Sequence, residues 1–238
     1  MSQQHIFREF DKAMDALKAD VLMMASLARQ NLERAMHALL ERDLDLARAV
    51  IADDSDVDEL ERKIDQGGMS ILVRFQPVAS DLRLVITAMK MAHNLERISD
   101  HAVSIAKRAK KICKAAPLDE VALAEPLYSI ADKLLRDAVM AFTDSNAELG
   151  ESLKARDKEL DRLHKQMIAT LSGRLEDSNG RAEHLLHLIF VARSIERIGD
   201  LAVNMGEDAV FLGEARAIRH EHRKSAPTTP TEESPPES

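Results

Sequence analysis

The chain has 238 residues, of which 45% are hydrophobic and 31% charged, and its net charge is −8. That composition supplies a real core and argues against nucleic acid as a partner, because phosphate binding needs Lys and Arg concentrated on one face. The single cysteine, Cys113, excludes an internal disulfide. Aromatics make up only 3% and Gly numbers 8, while Ala, Leu, Met, Glu, Lys and Arg dominate, a usage that favours helices over strands. The opening residues Met1-Ser2-Gln3-Gln4-His5 have neither a basic n-region nor a long apolar core. No apolar run reaches the roughly 18 residues that a membrane span requires. The expectation is a soluble protein of the cytoplasm.

The first helical pattern runs from about Ile6 to Leu40, with Phe10, Met14, Leu17, Val21, Met24, Ala28, Leu32, Ala35 and Leu39 at steps of three and four. A second runs from about Leu44 to Phe75, and Pro77 separates it from a third that opens near Ser80-Asp81 and continues to about Cys113. Pro117 and Pro126 bracket the entry to a fourth, which reaches about Asn146. The fifth spans about Glu151 to Leu175, and Asp177-Ser178-Asn179-Gly180 marks a turn. The sixth spans about Arg181 to Leu212. Residues 225–238 hold four of the seven prolines among Thr, Ser and Glu, and predict a disordered tail.

The chain is also a repeat. Between Glu96–Ala109 and Glu196–Ala209, seven of fourteen positions are identical, including Glu-Arg-Ile-x-Asp in both. The predicted fold class is therefore all-α, two tandem three-helix bundles packed side by side, with domains at 6–115 and 116–215.

Each repeat segment carries carboxylates at i and i+4, on one helix face: Glu96 with Asp100, and Glu196 with Asp200. Like charges at that spacing repel by a few tenths of a kcal/mol. Two further pairs, Asp54 with Asp58 and Asp157 with Asp161, stand on the preceding helices. In an antiparallel hairpin, residues equidistant from the turn sit level. The midpoints of 54 with 100 and of 58 with 96 both fall at 77, the predicted turn. Those of 157 with 200 and of 161 with 196 both fall at 178.5, in the other predicted turn. Each half should bring four carboxylates to one level, a set that cannot stay ionised without counter-charge. Oxygen ligands of this kind suit Mg, Mn or Ca, and also iron. A metal-free alternative is neutralisation by Arg97 and Arg197. Asp11/Asp15, Glu41/Asp45, Glu61/Asp65 and Asp144/Glu148 share the spacing and read as solvated faces; reflection through 77 takes Glu41/Asp45 onto Cys113/Ala109 and Glu61/Asp65 onto His93/Met89, so neither meets a second carboxylate pair.

The stretches Gln76-Pro77-Val78-Ala79-Ser80-Asp81-Leu82-Arg83 and Leu95-Glu96-Arg97-Ile98-Ser99-Asp100, with Asp157-Lys158-Glu159-Leu160-Asp161 and Ile195-Glu196-Arg197-Ile198-Gly199-Asp200, resemble the PhoU family of phosphate-signalling proteins over about residues 6 to 213. The resemblance implies two similar three-helix bundles. Some members of that family carry iron or zinc clusters on Glu/Asp-x-x-x-Asp pairs, and others have been seen without metal. By position the ligands would be Asp54, Asp58, Glu96 and Asp100 in one site, and Asp157, Asp161, Glu196 and Asp200 in the other. The resemblance further implies a negative regulator of the phosphate-starvation response, coupling the ATPase subunit of a phosphate ABC transporter to a membrane sensor histidine kinase. Membrane association would come through those partners only, and the long amphipathic helices suit a homodimer.

Lys107, Arg108, Lys110, Lys111 and Lys114 cluster where the third helix ends. The plain reading is interaction with the helix C-terminal dipole; the sharper one is a patch that docks an acidic partner or anionic lipid head groups. The matching positions Glu207, Asp208, Val210, Phe211 and Glu214 lack it. His93 and His164 read as histidines hydrogen-bonded near carboxylates, with outer ligation as the alternative. The eleven Met residues read as core filler. No phosphate loop, GxSxG or HExxH motif is present, so no enzymatic activity is expected. The competing readings are a metal-dependent hydrolase or redox enzyme on the carboxylate clusters, and a metal-free helical scaffold that docks basic segments.

Overall fold

In a computed structural model of the chain, residues 3–53, 55–175, 180–216 and 218 are described. Seven α-helices and one 3-10 turn account for them: α1 Gln3–Leu40, α2 Leu44–Ala52, α3 Ser55–Phe75, α4 Ala79–Ile112, the 3-10 turn Asp119–Leu123, α5 Ala124–Thr143, α6 Ala147–Gly173 and α7 Ala182–Glu214. No strand occurs among the described residues. The expected tail at 225–238, Asp54, and Asp177-Ser178-Asn179 of the second turn lie outside them.

The apolar stripe of α1 is buried as its spacing requires. Met14, Leu17, Val21, Met24, Ala28, Leu32, Ala35 and Leu39 all lie in the core, and Phe10 is partly buried, edge-on to Phe75 at 5.5 Å. With α2, α3 and α4, α1 forms one bundle, and α5, α6 and α7 form the second. The expected single helix from Leu44 to Phe75 is not found: α2 ends at Ala52 and α3 begins at Ser55. Asp and Ser side chains compete for backbone groups and favour helix ends over interiors. Asp53 accordingly caps α2 and accepts a 2.7 Å bond from Arg34, while Asp56 and Asp58 occupy the first turn of α3, where the helix dipole favours acids.

The α3–α4 turn falls at Gln76-Pro77-Val78, as the proline indicated. Gln76 and Ala79, at its two ends, adopt left-handed backbone. The two bundles join along α4 and α7. Arg83 meets Leu212, Lys90 meets Asp208 and Arg108 meets His187, so the two helices run antiparallel. Those pairings converge on a crossing near Ile98 and Ile198, both fully buried. The two Glu-Arg-Ile-x-Asp segments thus face each other across an internal pseudo-twofold axis.

Candidate metal centres

The second half gathers its acids as the hairpin midpoints require. Asp157, Asp161 and His164 follow one another at steps of four and three on one face of α6, opposite Glu196 and Asp200 on α7. Burial pushes the Asp157 carboxyl up to about 6, and the charges of Asp161, Asp200 and Glu196 push the same way. Glu196 is raised by burial and then by Asp200, with Arg197 and His164 opposing. Asp200 is raised chiefly by burial despite the opposing Arg197 charge.

Close helix approach causes that burial. A Cβ at Gly199 would stand 2.3 Å from Leu160 Cδ2 and 2.9 Å from Asp157 Oδ1, so glycine alone lets α6 close on α7 here. The result leaves Asp157 Oδ1 and His164 Nε2 buried without hydrogen-bond partners. Arg197 partly neutralises its own helix, donating to Asp200 Oδ2 at 3.1 Å and lying 3.6 Å from Glu196 Oε2. Arg97, from the other repeat, lines the same hollow as Arg197, Asp157 and Asp200. Burial holds His101 below its ordinary value, and the charges of Arg97 and Arg197 act in the same direction.

The first half is arranged differently. Glu96 is half-buried and raised by burial, then by Asp100, Glu61 and Asp58. Asp58 and Asp100 are exposed, and Asp54 lies outside the described residues. Among the described residues it is instead Glu61, His93 and Glu96 whose ligand atoms lie within 4.8 Å of one another. His93 Nδ1 stands 3.3 Å from Glu61 Oε1. Sequence reasoning set Glu61 aside. The signal was present, since reflection through Pro77 places Glu61 opposite His93, but the test asked only for a second carboxylate pair.

These donor sets fit a bound cation. An orphaned carboxylate oxygen and an orphaned imidazole nitrogen among four acids make up an oxygen-rich set with one nitrogen, suited to iron, manganese or zinc. In the second half Asp157, Asp161, Glu196, Asp200 and His164 would hold it; in the first, Glu61, His93 and Glu96 with Asp58 and Asp100 beside them. Such an ion would supply the positive charge that each hairpin lacks.

Fold and site together define a class: two tandem helical bundles, each with an acidic cluster on its last hairpin. The family model described as "PhoU domain" matches residues 21–109 and 125–209, once in each bundle. A Pseudomonas aeruginosa protein named as a phosphate-specific transport system accessory protein PhoU homolog is 33% identical over 218 residues, covering 91% of this chain and 90% of that protein. A Rhizobium meliloti protein of the same name is 30% identical over 230 residues, covering 96% and 97%. The crystal structure of PhoU from Pseudomonas aeruginosa superposes with a TM-score of 0.83 at 32% identity, over 87% of this chain and all (100%) of that one. The Streptococcus pneumoniae phosphate transport system regulatory protein PhoU shares the fold, with a TM-score of 0.81 at 23% identity. The chain belongs to the PhoU family.

Proposed function

We propose that this chain is a regulatory accessory protein of a phosphate-specific transport system and a negative regulator of the phosphate-starvation response. In phosphate-rich cells it binds the ATPase subunit of the transporter and a membrane sensor histidine kinase, and holds the kinase in its non-phosphorylating state. It works from the cytoplasm as a homodimer, acts by binding and not by turnover, and reaches the membrane through these partners. Among the described residues no helix is long and apolar enough to cross a membrane. The observation that carries this reading is the PhoU domain matched in both bundles, in a chain that spans about nine-tenths of an accessory-protein relative. Deleting the protein should switch phosphate-starvation genes on in rich phosphate. Genes that stayed repressed would sink the proposal, and co-purification from membranes would identify the bound partners.

Within that role the acidic hairpins are metal centres that stabilise or sense. The orphaned Asp157 Oδ1 and His164 Nε2 support this. Purification without chelator should yield bound iron, zinc or manganese by elemental analysis, and Glu196→Gln should lower the metal content. A chain that carries no metal and takes up none on titration would remove the claim.

A further inference from the structure

The last turns of α4 hold Lys107, Arg108, Lys110 and Lys111, and Lys114 follows in the turn just after the helix. With Ser104 and with Ile51 of α2, these residues line an open groove of about 610 Å³. Ser104, Lys107 and Lys111 follow steps of three and four on one face of α4, and Lys114, in the turn after the helix, lines the same groove.

Two observations indicate that the lysine charge is not used within the fold. The α4 terminus is already capped: Arg42 donates to the carbonyls of Cys113 at 2.8 Å and Ala115 at 2.6 Å. Among the described residues, none of the four lysines makes a hydrogen bond or an ion pair with another side chain or a carbonyl.

The internal repeat provides a control. At the equivalent end of α7, the acids meet the start of α4, where Lys90 pairs with Asp208 at 3.1 Å and lies over Phe211, and Arg83 donates to Leu212 O. Asp208 at that end is thus paired across the interface. The basic end of α4 meets the start of α7, which offers His187 at 3.3 Å from Arg108 Nη1 and the Phe190 ring at 4.2 Å. The carboxylate on that turn, Glu183, is exposed and lies 3.6 Å from His187. The same interface is balanced in one half and left positive in the other. Finally, Arg108 Nε is buried without an acceptor.

We infer that this groove is a binding site for an extended anion carrying two or more linked phosphoryl groups. Lysine ammonium groups bind phosphate as point charges, and guanidinium forks bind it through paired donors. A single tetrahedral anion reaches only some of the five basic side chains that line this groove, whereas linked phosphoryl groups can meet more of them at once. An extended acidic peptide turns alternate side chains away, so about half its carboxylates would face the groove. The chain carries a net charge of −8, so bulk attraction of anions does not account for binding at this one positive groove.

The test is calorimetric titration of the full, metal-free chain with inorganic triphosphate at about physiological salt, where charges beyond roughly 8 Å are screened. Expected are one site per chain, orthophosphate at least about tenfold weaker, and a loss of at least about tenfold in K107Q/K111Q/K114Q. The controls K12Q/K18Q and K154Q should change affinity less than about twofold, the last because Lys154 lines the hollow beside Asp157. The three lysines are exposed, so the triple variant should melt like the parent; if it does not, K111E alone carries the same test. No binding at millimolar triphosphate, or an affinity unchanged in the variant, overturns the site. So does tighter binding at these lysines by polyglutamate or by phosphatidylglycerol vesicles, which would mark a docking surface. Neither result bears on the regulatory role, which the gene deletion tests separately.

Discussion

At the residue scale, Asp157 shows how a carboxylate's position sets its chemistry. Its pKa stands at about 6 in the fold, against 3.8 ordinarily. A raised carboxyl contributes stability that is fully present below the unfolded value and lost as pH rises through the folded one. The metal-free chain should therefore lose stability from about pH 4 to about pH 6, with Glu196 and Asp200 acting in the same direction. Asp157→Asn removes the largest part of that loss. Urea denaturation of the metal-free proteins at pH 7 should find the variant more stable by roughly 1 kcal/mol, discounted for partial exposure, and near-equal to the parent at pH 4. A variant less stable at pH 7 would contradict this account. The level of Asp157 in the hairpin was legible from the turn midpoints, because residue number measures height along a helix. Its burial was not, since that depends on Gly199 having no Cβ. The Glu61–His93 contact was missed for a narrower reason: a carboxylate facing a histidine fell outside a test built for like pairs.

Helix ends decide the behaviour of whole elements. The expected fourth helix runs to Asn146 and the fifth starts at Glu151, whereas α5 stops at Thr143 and α6 starts at Ala147. Asn146 explains the shift, because its Oδ1 accepts the Leu149 N–H at 3.0 Å and so caps the next helix instead of ending the last. Ser145 just before it takes left-handed backbone, which turns the chain between the two. Asn146→Ala should destabilise the protein by about 1 kcal/mol in urea denaturation. Asn146 is exposed, so the loss measures the cap and not packing; no measurable change would mean that water replaces it. The α2–α3 break has the same origin. Periodicity runs through Asp53-Asp54-Ser55-Asp56, but residues that prefer caps interrupt the ladder. A hydrophobic pattern sees which face is buried and does not see where hydrogen bonding restarts.

On the scale of the whole molecule, the α4–α7 contact makes two bundles one protein. Lys90 is half-exposed, but its partner Asp208 has a side chain only 5% accessible. Lys90→Met would leave that carboxylate buried without its counter-charge, at a cost of about 2–3 kcal/mol, below the figure for a fully buried pair because one partner reaches water. Adding Asp208→Asn should recover most of the loss, measured as a double-mutant cycle by denaturation. Independent effects of the two changes would show that the pair does not hold the bundles together. The sequence by itself determined the helical class, the tandem repeat, the turn at Pro77 and the level of the acids on α6 and α7, because the 3.6-residue period and internal identity are properties of the chain alone. Only the tertiary structure decided which acids are desolvated, that Glu61 and His93 join the first cluster, and that the α4 terminus keeps its positive charge while Asp208 of α7 is paired with Lys90. Each of these depends on which side chain of a distant helix covers the group. That in turn follows from the antiparallel crossing at Ile98 and Ile198, and no local pattern encodes it.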